Sequence, residues 1–126
     1  MEKQIPKGLK TTFLVHMILA VIFGAGFLLV PEMVTGMLGA RTVEPSTFRL
    51  VGAAMLAFGA SSWLAYRQTL WDRVKIVVQI EIVWTVLGVL ATLWGLMFEG
   101  LPAADWMNVL ILGAFALAFA YFYYRA

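Results

Sequence analysis

Four apolar runs, at residues 11–30, 50–66, 74–98 and 106–124, fill most of the chain as continuous blocks rather than as amphipathic stripes. Runs of about 18 or more residues without strong charge read as transmembrane helices. The second run is short for a hydrocarbon core of ~30 Å, which takes about 20 helical residues. Phe48 and Arg49 extend it, with Arg49 reaching toward the headgroups. The third run is long enough to tilt or to project its ends. Short connections set consecutive helices side by side and antiparallel. The expected fold is all-α: a single integral membrane domain over 1–126, built as a four-helix transmembrane bundle.

Breaks between the runs add detail. Pro31 ends the first helix, because the residue before proline avoids the α region, and opens a new one at its first turn. Glu32 then lies at the positive end of that helix, Met33, Val34, Met37 and Leu38 form one apolar face, and Gly39 caps it. The spacing predicts a short interfacial helix at about 31–38, serving as a lid over the bundle mouth or as a plain connector. Asp72 is placed to N-cap the third helix, and Pro102 to start the turn into the fourth.

Small residues mark the faces on which helices approach closely in lipid. The first run offers Ala20 and Gly24, the second Gly52, Ala53, Ala57, Gly59 and Ala60, and the fourth Gly113, Ala116 and Ala120. The third carries a small or polar stripe, Glu81, Thr85, Gly88, Thr92 and Gly95, expected to face the bundle interior because lipid leaves polar groups unsatisfied. The same faces can serve a homo-oligomer.

Composition fits this pattern. Hydrophobic residues make up 63% of the sequence and charged residues 13%, and the mean hydropathy is +0.90. The absence of cysteine excludes disulfides, thiol catalysis and cysteine-ligated metal centres. The basic residues sit at run borders, so the isoelectric point of about 9.2 reflects membrane orientation and not a nucleic-acid partner. Lys3, Lys7, Lys10, Arg67, Arg73, Lys75 and Arg125 fall on one side of the membrane, and Arg41 and Arg49 on the other. Lys and Arg in short loops are retained in the cytoplasm, so both termini are expected there, in a prokaryotic cell membrane. The basic start followed by an apolar run mimics a signal peptide. Its length and the lack of a clear cleavage site favour an uncleaved first helix over a removed leader. Trp71, Trp106, Tyr121, Tyr123 and Tyr124 lie where aromatic rings anchor a span at the headgroup layer.

Glu81 is the one acid within the apolar runs. At 1.5 Å per residue from the inner border, His16 lies roughly 8 Å deep and Glu81 roughly 10 Å deep. Ser62 and Tyr121 fall near the same level, and Thr85 lies one turn beyond Glu81. His16, Ser62, Glu81, Thr85 and Tyr121 therefore form a candidate intramembrane polar site. An ionisable group at such depth is a functional candidate by default. Low dielectric favours a neutral carboxyl and a neighbouring imidazolium favours a charged one, so the pair can hold or pass a proton. A satisfied structural pair, or Glu81 reaching to the interface, is the competing reading. One His and one buried acid fall short of the three protein ligands usual in catalytic metal sites. No phosphate loop, nucleophile elbow or Ser/His/Asp set is present, so no cofactor and no catalytic residues are expected.

The segment Phe27-Leu-Leu-Val-Pro-Glu-Met33, followed by Phe48-Arg-Leu-Val-Gly-Ala-Ala-Met-Leu-Ala-Phe-Gly59, resembles the DoxX-like group of small four-helix membrane proteins. The resemblance implies the fold and topology. Some members serve as membrane subunits of oxidoreductases or as assembly factors, but without cysteine a thiol-based redox role carries over to no residue here. The leading functional expectation is a non-enzymatic accessory subunit or assembly partner, in contact with the lipid bilayer and with a second copy or a larger membrane protein. The alternative is a small-solute or proton-coupled carrier using Glu81 and His16, and an intramembrane enzyme is a third.

Overall fold

A computed structural model describes residues 3–39 and 44–125. Its elements are α1 (Lys7–Leu29), α2 (Pro31–Met37), α3 (Pro45–Tyr66), α4 (Trp71–Phe98), a 3-10 turn (Ala103–Asp105) and α5 (Trp106–Arg125). The four long helices are each long and apolar enough to cross a membrane. Three of them begin earlier than the apolar runs suggest, at Lys7, Pro45 and Trp71. Charge does not stop a helix; it only marks where apolar burial ends, so the first turns continue into the polar layer. At 28 residues α4 is about 42 Å long, well beyond a ~30 Å core.

Backbone chemistry explains the boundaries. Val30 precedes Pro31 and sits at φ −136°, ψ 58°, outside the α region, which separates α1 from α2. Gly39 follows α2 at φ +74°, and Gly100 follows α4 at φ +69°, where Leu101 N–H donates back to the Gly95 carbonyl at 3.2 Å. Both glycines supply the left-handed turn that stops a helix cleanly. Asp72 does not cap α4: the helix starts at Trp71, Leu70 holds the cap position two residues before Asp72, and no side chain bonds there. Asp72 lies instead in the first turn, where its charge suits the helix dipole. Trp71, expected as an exposed anchor, is buried against Tyr123. Arg41 lies outside the described residues.

The long helices run in the order α3, α1, α5, α4 around the bundle, with α1 diagonal to α4. Two edges are tight and two are loose. The α1/α3 edge is the most extensive, followed by α4/α5, while α1/α5 and α3/α4 approach at few places. The tight α1/α3 edge is built on glycine. A Cβ added at Gly52 would lie 2.5 Å from Leu28 N and 2.6 Å from the Gly24 carbonyl oxygen; at Gly24 it would meet Leu56 N at 3.0 Å. Gly59 packs less tightly, against the side chains of Val21 and Ala20. At Gly24 and Gly52 the small residue thus brings backbone to backbone, which is how helices gain van der Waals energy in lipid. Gly88 faces Leu112 on α5, whereas a Cβ at Gly113 would meet nothing within 4 Å.

The core lies toward the end of the bundle carrying the chain termini. Leu9, Phe13, Ala65, Trp71, Val74, Val78, Phe115 and Phe119 form one cluster, closed from below by Ile5. An N-terminal strap holds that end: Ile5 N–H donates to the Thr69 carbonyl and Trp71 N–H to the Lys3 carbonyl, both at 2.9 Å. The strap ties the α3–α4 connection to the start of α1.

Gly52→Ala should destabilise the protein in detergent by about 1–3 kcal/mol, the usual cost of overpacking a rigid contact. Gly113→Ala should be neutral or slightly stabilising, since alanine is the better helix former. Thermal unfolding of both variants checks this, and equal losses would contradict a close α1/α3 crossing at Gly52.

Candidate functional site

Three helices bring polar side chains together inside the bundle. His16 comes from α1, Ser62 from α3 and Glu81 from α4. Glu81 and Ser62 are 0% exposed and His16 is 5% exposed. Each lies on the buried face of its helix, a face set by helical spacing: Leu9, Phe13, His16, Ala20 and Gly24 on α1, and Val74, Val78, Glu81 and Thr85 on α4. The polar groups therefore replace one layer of an otherwise apolar core.

His16 Nδ1 and Ser62 Oγ are 2.8 Å apart. Ser62 Oγ–H donates to Glu81 Oε1 over a long 3.5 Å. His16 Nε2 lies 3.3 Å from Glu81 Oε2, close enough for an ion pair, yet Oε2 has no aligned hydrogen bond. Proximity to His16, not a well-formed hydrogen bond, is thus what holds that oxygen. The donor inventory constrains the protons. With the Ser62 hydroxyl donated to Glu81, its oxygen accepts from His16 Nδ1–H. The remaining approach, Nε2 to Oε2 at 3.3 Å, has room for one proton, on the carboxyl or on the imidazole. The His16–Glu81 approach joins α1 and α4 across the bundle.

Aromatic rings wall it. Phe115 meets the His16 ring at 4.9 Å and 90°, and Phe119 at 5.9 Å and 78°. Phe119 also packs on Phe13. These edge-on contacts fix the imidazole plane and exclude water from it.

The other two expected members differ. Thr85 is fully buried one turn from Glu81, but its hydroxyl donates to the Glu81 backbone carbonyl at 2.6 Å and not to the carboxyl. Tyr121 is not brought to the cluster. It is 54% exposed, with the Arg125 guanidinium 5.5 Å over its ring. Depth along α5 suits Tyr121, but two residues past Phe119 is about 200° around a helix, so the two rings point to opposite sides. Phe115 and Phe119, four residues apart, are the α5 side chains that reach the site. Their spacing on one face was the available signal. Sequence reading also missed the Gln79–Tyr123 bond, in which Gln79 Nε2 donates to Tyr123 Oη at 2.9 Å and ties α4 to α5. Among the described residues, no three His, Asp or Glu side chains gather as metal ligands would.

Phe119→Ala should cost roughly 3–5 kcal/mol, as for other buried aromatic truncations, whereas Tyr121→Phe should stay within about 0.5 kcal/mol, as for surface changes. Unfolding in detergent compares the two, and a comparable loss from Tyr121→Phe would place the tyrosine inside the site. Compared with known proteins, the chain matches no family model, no curated protein and no solved structure.

Proposed function

We propose that this chain is a multi-pass integral membrane protein, both termini cytoplasmic, acting as a non-enzymatic accessory subunit or assembly partner for a larger membrane protein or for copies of itself. Membership of the DoxX-like group belongs to the same proposal and rests on the segments at 27–33 and 48–59.

One observation carries the reading. His16, Ser62 and Glu81 Oε1 contact one another, Thr85 bonds its own backbone, and phenylalanine rings wall the cluster, while Glu81 Oε2 has only the nearby His16 ring and the buried Trp84 Nε1 has no hydrogen-bond partner. Two grooves lie along the loose α1/α5 and α3/α4 edges; Phe115 lines the first, but neither is lined by His16 or Glu81. A polar cluster sealed in this way favours a fixed helix arrangement, which makes the outer faces the working surface. Leu110 and Leu117 on α5 are among the most exposed side chains there. A second reading, a proton-coupled carrier, is favoured by the 3.3 Å approach of two buried ionisable side chains, His16 and Glu81.

Two experiments separate the readings. Proteoliposomes carrying wild type or Glu81→Gln should dissipate a pH gradient no faster than vesicles without protein. A photo-crosslinking residue at Leu110 should give one discrete adduct in native membranes. Proton flux that Glu81→Gln abolishes would overturn the accessory reading in favour of the carrier.

A further inference from the structure

The loose α3/α4 edge carries a groove of about 410 Å³. Ala57, Ala60 and Ser61 of α3 and Val77 of α4 line it, and Gln68 and Arg73 stand at the end nearest the α3–α4 connection. Phe58 of α3 also stacks on Trp84 of α4, the rings 5.0 Å apart and nearly parallel at 14°. This stack spaces α3 from α4, while the small side chains leave the trough between them.

We propose that this groove binds one anionic phospholipid, with an acyl chain along the alanine face and the phosphate at Arg73 and Gln68. Length supports it. From Ala57 to Ala65, the last α3 residue lining the groove, the helix rises about 12 Å, close to the ~15 Å depth of one hydrocarbon leaflet. Polarity supports it too: apart from Ser61 the trough is apolar along the helices, and its long polar side chains, Gln68 and Arg73, stand at the membrane-border end. Charge decides the headgroup. Arg73 has no ion-pair partner among the described residues. Arg67 and Lys75 flank it, and Asp72 is the one acid between residues 66 and 76, so the local balance is three basic groups to one acidic. Arginine with a neighbouring amide suits a phosphate, because its fork donates two parallel N–H bonds and the Gln68 amide can add another. A zwitterionic headgroup brings its own ammonium into this basic patch and loses that advantage. A second transmembrane helix would fill the apolar trough equally well but would leave Arg73 and Gln68 unmatched.

Native mass spectrometry of the full chain, released from nanodiscs containing equal phosphatidylglycerol and phosphatidylcholine, tests the assignment. The expected result is one retained phosphatidylglycerol per chain. Arg73→Gln should weaken that retention about fivefold, the effect of one basic side chain near a membrane surface. Lys7→Gln, which removes the same charge at the same end but does not line the groove, should leave it unchanged. Ala60→Leu, which fills the trough, should reduce retention, with thermal unfolding confirming that the fold persists. Equal retention of the two lipids, or equal loss from Arg73→Gln and Lys7→Gln, would overturn the proposal. So would retention unaffected by Arg73→Gln, or a wild-type dimer that Ala60→Leu disperses; the latter would give the groove to a second copy of the chain.

Discussion

A carboxyl group inside an apolar bundle must find its partners within the protein, and Glu81 finds them on two other helices. His16 on α1 and Ser62 on α3 face it at 3.3 and 3.5 Å. Such a group tolerates few alternative packings, because a shift of either helix by one turn would leave a buried polar atom without a partner, at a cost of ~1–3 kcal/mol. The surrounding apolar contacts are less discriminating. Phe, Val and Leu side chains can repack against one another with modest loss. The polar layer therefore sets the relative register of α1, α3 and α4, and the phenylalanines around it supply much of the packing energy.

This requirement bears most on the bundle because its edges are unequal. The α1/α3 and α4/α5 pairs pack closely, the first through backbone contact at Gly24 and Gly52. The edges between those pairs are open enough to form grooves. Two compact helix pairs are thus joined mainly across the centre by the His16–Glu81 diagonal and the Phe13–Phe119 contact, and at one end by the N-terminal strap. Beyond Thr85, Gly95 under Leu101 is the only α4 residue buried. The Thr92 hydroxyl there bonds the Gly88 carbonyl of its own helix at 2.8 Å, so it needs no partner from the bundle.

Helix number, the short α2 and the α1/α3 glycine seam were legible in the sequence, because apolar run length, Pro31 and the spacing of small residues each have a direct backbone consequence. Depth counting brought His16, Ser62 and Glu81 to one level. It failed at Tyr121 because depth is one coordinate and rotation about the helix axis is another, and the Phe115–Phe119 pair fixes that rotation. The small stripe on α4 does turn away from the exposed face, with Glu81, Thr85 and Gly95 buried and Gly88 and Thr92 half-buried, because small and polar residues at steps of three and four share one side of a helix. The strap at Lys3–Ile5 had no periodic signal, since its pairing with Thr69 and Trp71 depends on a turn that only the folded bundle creates.

The most direct measurement is a double-mutant cycle between His16→Leu and Glu81→Leu, read by reversible unfolding in mixed micelles. If the buried pair sets the register, each single change strands a polar partner, and the double variant, in which both positions are apolar, loses less than the sum. The expected coupling is about 0.5–3 kcal/mol in that direction. Additive losses within about 0.5 kcal/mol would mean that the two side chains do not depend on each other, contradicting the polar diagonal as the constraint that joins the two helix pairs.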